Sequence, residues 1–159
     1  MLTAEEVIAL LQLVPLPIEG GFFRRTYTAA DAVRAEALPE RYGGARKLCS
    51  AIYYLLGPND FSALHRLRTD EIYHFYLGDP VELLMLHLDG SHSLHTLGTD
   101  LAAGQQVQLV VPRGVWQGSR LRADGGVALM GTTMAPAYQR EDFELGARDD
   151  LAAHYPACA

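Results

Sequence analysis

From Leu48 onward the chain runs in short stretches of alternating apolar and polar residues. They are separated by Gly57-Pro58-Asn59-Asp60, Gly78-Asp79-Pro80, Asp89-Gly90-Ser91, Gly98, Gly104, Pro112-Arg113-Gly114 and Asp124-Gly125-Gly126. Alternation with period two, broken at this spacing by turn residues, predicts an all-β sandwich or barrel and not a βαβ layout. Asp89-Gly90 sits between two alternating runs and predicts the tightest hairpin. Gly20-Gly21 opens an earlier strand that reaches Thr28. Ahead of it, Thr3-Ala-Glu-Glu6 reads as a capping box. Val7, Leu10, Leu11 and Val14 follow as a helical stripe stopped by Pro15 and Pro17. This helix is expected to cover an open end or outer face of the barrel. Residues 29–47 are rich in alanine and arginine and predict a long loop with one helical turn, a lid or an interface arm. Gly146 to His154 predicts a short closing helix.

Strand parity then sorts the side chains that carry chemistry. If His65 faces the barrel interior, Ala63 stands beside it. Glu71 inward brings Tyr73 and Phe75 with it and sends Ile72, His74 and Tyr76 to the other face. Gln117 inward brings Val115 and Ser119 and turns Trp116 out. The expected result is a cavity with a few polar groups among apolar and aromatic walls, the usual form of a small-molecule site. In it Glu71 would fix the tautomer of His65, His65 would act as general base, and Tyr73 would carry the second proton. The competing reading is a hydrogen-bonded buried pair with no chemistry. Ligand-binding candidates are Phe75, Gln117, Ser119 and an arginine. Arg24 and Arg25 alternate, so one of them faces the interior and the other faces outward. Tyr53 and Tyr54 alternate likewise; Tyr53 is carried as a ligand candidate, though parity without register does not choose between them. His74 is a further ligand-binding candidate; by parity it lies behind Glu71, where packing at a sheet-to-sheet or dimer contact is the competing reading unless a bulge turns it inward. His87, His92 and His95 surround the hairpin tip and read as a solvated surface. Arg140-Glu-Asp142-Phe-Glu144 reads as a solvated turn around Phe143.

The stretch His65 to Gly78 and the Pro112-Arg-Gly114-Val-Trp-Gln117 segment resemble the two motifs of the cupin superfamily. His65, Glu71 and Gly78 match the first motif's histidine, glutamate and closing glycine, whereas Leu67 stands at its second histidine and Gln117 at the histidine of the second motif. Glu19-Gly-Gly-Phe-Phe-Arg24-Arg-Thr-Tyr27, Ile52-Tyr53-Tyr54, Asp70 to Asp79, Trp116-Gln117 and Ala135-Pro136 through Asp142-Phe143-Glu-Leu narrow the likeness to the single-domain cupin group of unknown function. That resemblance implies a double-stranded β-helix, or jelly-roll barrel, with short terminal helices, paired as a homodimer and similar to the barrel of deoxysugar-nucleotide epimerases. In that group His-Pro usually precedes Glu-Gly-Gly; here Pro17-Ile18 stands there. Arg24 stands at the arginine position of the same motif, and the resemblance makes it the anion-binding candidate for phosphate or carboxylate. Metal-bound cupins use three histidines and the glutamate. With one histidine and one glutamate left, no metal or other cofactor is expected, and a metal-dependent enzyme with a degenerate site is the outlying alternative.

Bulk properties change the picture mainly by exclusion. At 159 residues, 1–159 form one domain with enough chain to bury a core. A formal net charge of −6 argues against a nucleic-acid binder. No apolar run has the length of a membrane span. Cys49 and Cys158 lack an export signal ahead of them and suit a reducing cytoplasm better than a disulfide framework. The expectation is a cytoplasmic homodimer that binds a small polar metabolite of the sugar or sugar-nucleotide class. The residues permit epimerase or isomerase chemistry, with a non-catalytic binding module as the rival.

Overall fold

A computed structural model describes residues 2–122 and 124–158. In chain order the elements are α1 (Ala4–Leu11), β1 (Val14–Pro15), β2 (Phe22–Thr28), β3 (Ala32–Val33), β4 (Arg46–Lys47), β5 (Ser50–Leu56), β6 (Phe61–Arg66), β7 (Glu71–Gly78), β8 (Val81–Leu86), β9 (His92–Leu97), β10 (Gln108–Val111), β11 (Trp116–Leu121), β12 (Ala128–Met134), β13 (Glu144–Leu145) and α2 (Arg148–His154). A six-stranded sheet runs β1-β2-β5-β12-β7-β10 and faces a five-stranded sheet, β13-β6-β11-β8-β9. All of their strand pairs are antiparallel. Sequence neighbours repeatedly sit in opposite sheets, which is the jelly-roll crossover. Apolar side chains from the two inner faces, among them Phe75, Leu83, Met85, Val111 and Met130, close one end of the barrel as a packed core. The other end stays open and carries the polar groups.

The helices seal the outside. Thr3 Oγ1 accepts the Glu6 amide and Glu6 accepts the Thr3 amide, so the predicted capping box is formed. The buried stripe differs from the expected one. Ala4 and Val7 are buried with Ile8 and Leu11 beside them, whereas Leu10 and Val14 are exposed. The helix ends at Gln12 in the left-handed region, before the prolines, so Val14 belongs to a strand. This helix packs on Leu55, Val127 and Leu129, the outer face of the larger sheet. At the C-terminus α2 puts Leu151 against Leu86 and Tyr155, outside the smaller sheet. The Asp89-Gly90 turn joins β8 to β9 as predicted, with Leu86 opposite His92. Residues 29–47 hold two 3-10 turns and the small β3-β4 ladder.

Two segments close over the open end because a buried ion pair ties them together. Arg46 Nη1 and Nη2 donate to Asp142 Oδ2 and Oδ1 at 2.7 and 3.0 Å, and Nη2 also donates to the Tyr42 carbonyl at 2.7 Å. Both side chains are almost wholly buried. The expectation of a solvated turn at 140–144 is therefore corrected at Asp142: it anchors the turn from inside, and Phe143 follows it into the barrel mouth. Desolvating a charge pair is tolerated here because the fork geometry satisfies both carboxylate oxygens.

Candidate functional site

The open end encloses a cavity of about 310 Å³, lined by apolar and aromatic residues with a small set of polar ones: Glu19, Arg25, Ser50, His65, Glu71, Thr132 and Arg140. Its position follows from register. Gln117 pairs with His65 across β11 and β6, and Gln117 Nε2 reaches over to the other sheet to donate to Glu71 Oε2 at 2.8 Å. The imidazole, the acid and the amide expected to converge do meet inside the barrel, and all three are buried.

Their bonding differs from the expected pattern. His65 Nδ1 donates to the Ala63 carbonyl at 2.8 Å, so a backbone oxygen and not Glu71 selects the tautomer. In the neutral imidazole this makes Nε2 the acceptor nitrogen. Phe143 stacks on the ring, with centroids 5.0 Å apart and planes 19° from parallel, and fixes its orientation. Glu71 is instead tied to Gln117, whose Oε1 is buried without a protein partner.

A bulge sets which residue accompanies His65. Between Gln117 and Ser119 on β11 the partners on β6 step from His65 to Ser62. The extra residue on β6 turns Ser62 inward in place of Ala63, and Ser62 Oγ donates to Glu19 Oε1 at 3.1 Å. Glu19 was not singled out as a site residue from the sequence. It arrives from the turn between β1 and β2, where Gly20 (φ 104°) and Gly21 (φ 70°) take left-handed backbone. A Cβ on Gly20 would run into the Phe61 carbonyl oxygen, so only glycine lets the turn approach β6 closely enough to deliver the carboxylate. Ile18 in the same turn sits at φ 73°, a strained conformation for a β-branched residue.

The electrostatics of this corner follow from enclosure. Glu19 is half-buried with its carboxyl in the cavity, and burial pushes it up to about 7, with nearby Glu71 adding to the rise and His65 and Ser62 opposing it. Tyr73 is fully enclosed and its hydroxyl is held well above its ordinary range, first by burial and then by Glu71 and Glu19. Tyr54, which donates to the Gly20 carbonyl at 3.1 Å, is raised for the same reasons.

Other predicted residues fall elsewhere. Pairing of Phe23 with Tyr54, Arg24 with Tyr53 and Arg25 with Ile52 couples the two strands' parities. Phe23, Arg25 and Tyr54 therefore line the cavity, while Arg24 stacks over Tyr53 on the outer face at 5.6 Å. Arg24 and Tyr53 are corrected on that ground. His74 also stays outside, bonded to Thr133 Oγ1 at 3.2 Å and to Gln108 at 3.3 Å. Phe75 points inward but belongs to the packed end, below the cavity wall. Ser119 is buried and borders a second cleft beside α2 instead of the cavity. Tyr138, Phe143 and Arg140, brought in by the closing segment, carried no strand pattern that could have announced them.

The donor set for a metal does not assemble. Leu67, at the position of a cupin histidine, presents an apolar wall to the cavity, and Gln117 turns its amide nitrogen toward Glu71. Among the described residues no group of three or more His, Cys, Asp and Glu side chains is placed to hold an ion. Nor is any described helix long and apolar enough to cross a membrane.

Comparison with known proteins agrees with this fold. A Shewanella oneidensis protein of known structure is 35% identical, covering 99% of this chain and 93% of its own, with a TM-score of 0.87. A hypothetical protein from Leishmania major is 32% identical over 98% of this chain and 94% of its own, with a TM-score of 0.88. Bacillus subtilis oxalate decarboxylase, at 12% identity and a TM-score of 0.56, covers 92% of this chain and 35% of its own and shares the fold alone. No curated protein gives a significant match. Residues 5–146 match the family described as "Cupin superfamily (DUF985)", and the chain belongs to that family.

Proposed function

We propose that the barrel binds a small polar metabolite of the sugar or sugar-nucleotide class and catalyses its metal-independent epimerisation or isomerisation by proton transfer. The observation that carries this reading is His65: buried at the cavity wall, locked in one tautomer by Ala63, with a basic Nε2 and a near-neutral carboxyl, Glu19, in the same enclosure.

In the proposed reaction His65 Nε2 takes the proton from a carbon next to a carbonyl. The electron pair moves into the carbonyl to form an enolate. For epimerisation protonated Glu19 then returns a proton to the other face of that carbon; for isomerisation it protonates the former carbonyl carbon while the adjacent hydroxyl's proton passes to the former carbonyl oxygen, and solvent restores both groups. Gln117 holds Glu71 in place, and Glu71 with Tyr73 offers polar contacts to the substrate's hydroxyl groups. Relative to the reading from residues alone, Glu19 takes over the proton-returning role from Tyr73, whose hydroxyl burial makes a weaker acid than an ordinary tyrosine.

Solvent exchange tests this directly. Candidate ketoses, aldoses and keto-sugar nucleotides are incubated with the protein in deuterium oxide and followed by proton NMR. Loss of the signal at the carbon next to the carbonyl is expected with wild type and not with His65→Ala. Exchange that persists in His65→Ala refutes the mechanism. Binding without any exchange in wild type would leave a non-catalytic binding module.

A further inference from the structure

We propose that Arg25 and Arg140 form an oxyanion-binding subsite at the cavity mouth, which takes a phosphate or carboxylate group of the ligand whose remainder reaches His65. This deepens the reading above and rests on the barrel being the ligand site.

Both arginines line the cavity, and they come from unrelated parts of the chain. Arg25 lies on β2 just before a bulge, since its partner is Ile52 while Tyr27 pairs with Ala51. That register aims Arg25 at the cavity and leaves its neighbour Arg24 outside. Arg140 opens the 3-10 turn Arg140–Asp142, which the buried Arg46–Asp142 pair pins from beneath. The Arg25 guanidinium lies 5.8 Å from the Tyr138 ring centroid, and that of Arg140 lies 5.2 Å from the Phe143 ring. Tyr138 and Phe143 both belong to the closing segment that carries Arg140, so the ring that meets Arg25 and the ring under Arg140 come from one stretch of chain.

Aromatic faces hold these guanidinium groups without consuming their hydrogen-bond donors. Among the described residues neither arginine makes an ion pair or a side-chain hydrogen bond, whereas Arg46, Arg66, Arg120 and Arg122 all meet carboxylates. In a chain with 19 acidic and 13 basic residues, two unpartnered cations at one mouth are a local reversal of sign. The floor has the opposite character, with Glu71. A ligand's anionic end is repelled by the floor and drawn to the mouth, so its hydroxyl and carbonyl carbons lie against His65. The two ends together orient the ligand.

The test uses inorganic phosphate as the probe, with its 31P line width measured against wild type, Arg25→Gln, Arg140→Gln, the double variant and His65→Ala. Both arginines are exposed, so their variants should keep wild-type melting curves. Wild type is expected to bind phosphate in the millimolar range, more weakly in added salt. Each single variant should bind roughly tenfold more weakly, the double variant not measurably, and His65→Ala as wild type. Gluconate in parallel distinguishes carboxylate from phosphate recognition, and either one binding through the arginines supports the subsite. If wild type binds neither anion, or the double variant binds them as wild type does, the subsite is refuted. Anion binding lost with the arginines, beside absent deuterium exchange, would keep the subsite and remove the turnover reading.

Discussion

Replacing Glu19 with glutamine separates the electrostatic cost of this carboxylate from its shape. The amide keeps an oxygen to accept the Ser62 hydroxyl, which donates to Glu19 at 3.1 Å, and it removes the charge. Burial raises Glu19 from an ordinary 4.5 to about 7. A carboxyl whose folded pKa is raised binds its proton more tightly in the folded state, so native protein loses stability as pH climbs through that interval. At about 1.4 kcal/mol for each tenfold change, the full interval is worth about 3 kcal/mol, as an upper figure. Urea unfolding of wild type and Glu19→Gln at pH 4, 5, 6, 7 and 8 should therefore give curves that agree near pH 4 and separate progressively up to about pH 7. By pH 8 the variant should be more stable by about 2–3 kcal/mol, with an unchanged urea slope. Equal stability at pH 8, or a variant less stable at every pH, would refute the claim that this carboxyl is enclosed and titrates near neutrality. Loss of deuterium exchange in the same variant would tie the stored instability to the chemistry.

The remaining predictions concern the frame around the cavity. Asp142→Asn leaves Arg46 charged and buried and should destabilise the fold by roughly 3–5 kcal/mol in urea unfolding. Loss below about 1 kcal/mol would mean that the pair is not desolvated as the structure has it. Gly20→Ala combines a φ of 104° with a collision against the Phe61 carbonyl, and should cost about 2 kcal/mol or more by the same assay; a neutral effect would refute the close approach of this turn to β6. Exposed Tyr76, Leu77, Val107 and Val110 cluster on and beside β10, an edge of the larger sheet. Pairing of two copies there is proposed, and light scattering should return about twice the chain mass. A monomer at high micromolar concentration would dismiss it.

The fold was legible because alternation and turn residues are local. Asp89-Gly90 needs no distant partner to act as a hairpin, and the Thr3–Glu6 capping box closes within one helical turn. The site was legible only as far as parity reached. Choosing between Arg24 and Arg25, or between Tyr53 and Tyr54, requires knowing that Phe23 lies opposite Tyr54, a fact of strand pairing that neither strand contains alone. The exchange of Ala63 for Ser62 beside His65 required a bulge between β6 and β11, which a period-two count cannot express. Asp142 looked like part of a solvated charge run because its partner, Arg46, is 96 residues away in sequence.

Glu19 is different, because its signal was local and was read as backbone punctuation. Paired glycines that must adopt positive φ beside a neighbouring strand mark a turn held close to something, and the residue before them is what that closeness carries inward. Ile18, forced to φ 73° in the same turn, has no core contact that would select so strained a backbone; it is exposed. The strain is instead accounted for by where the next residue ends up. Relieving it with Ile18→Gly should raise stability or leave it unchanged, since glycine adopts this conformation freely. If exchange at the substrate carbon slows while stability does not fall, the turn is shaped to place a carboxyl group opposite His65. If stability falls by about 1 kcal/mol or more, the side chain of Ile18 is needed for the cavity wall itself, and strain at this turn says nothing about catalysis.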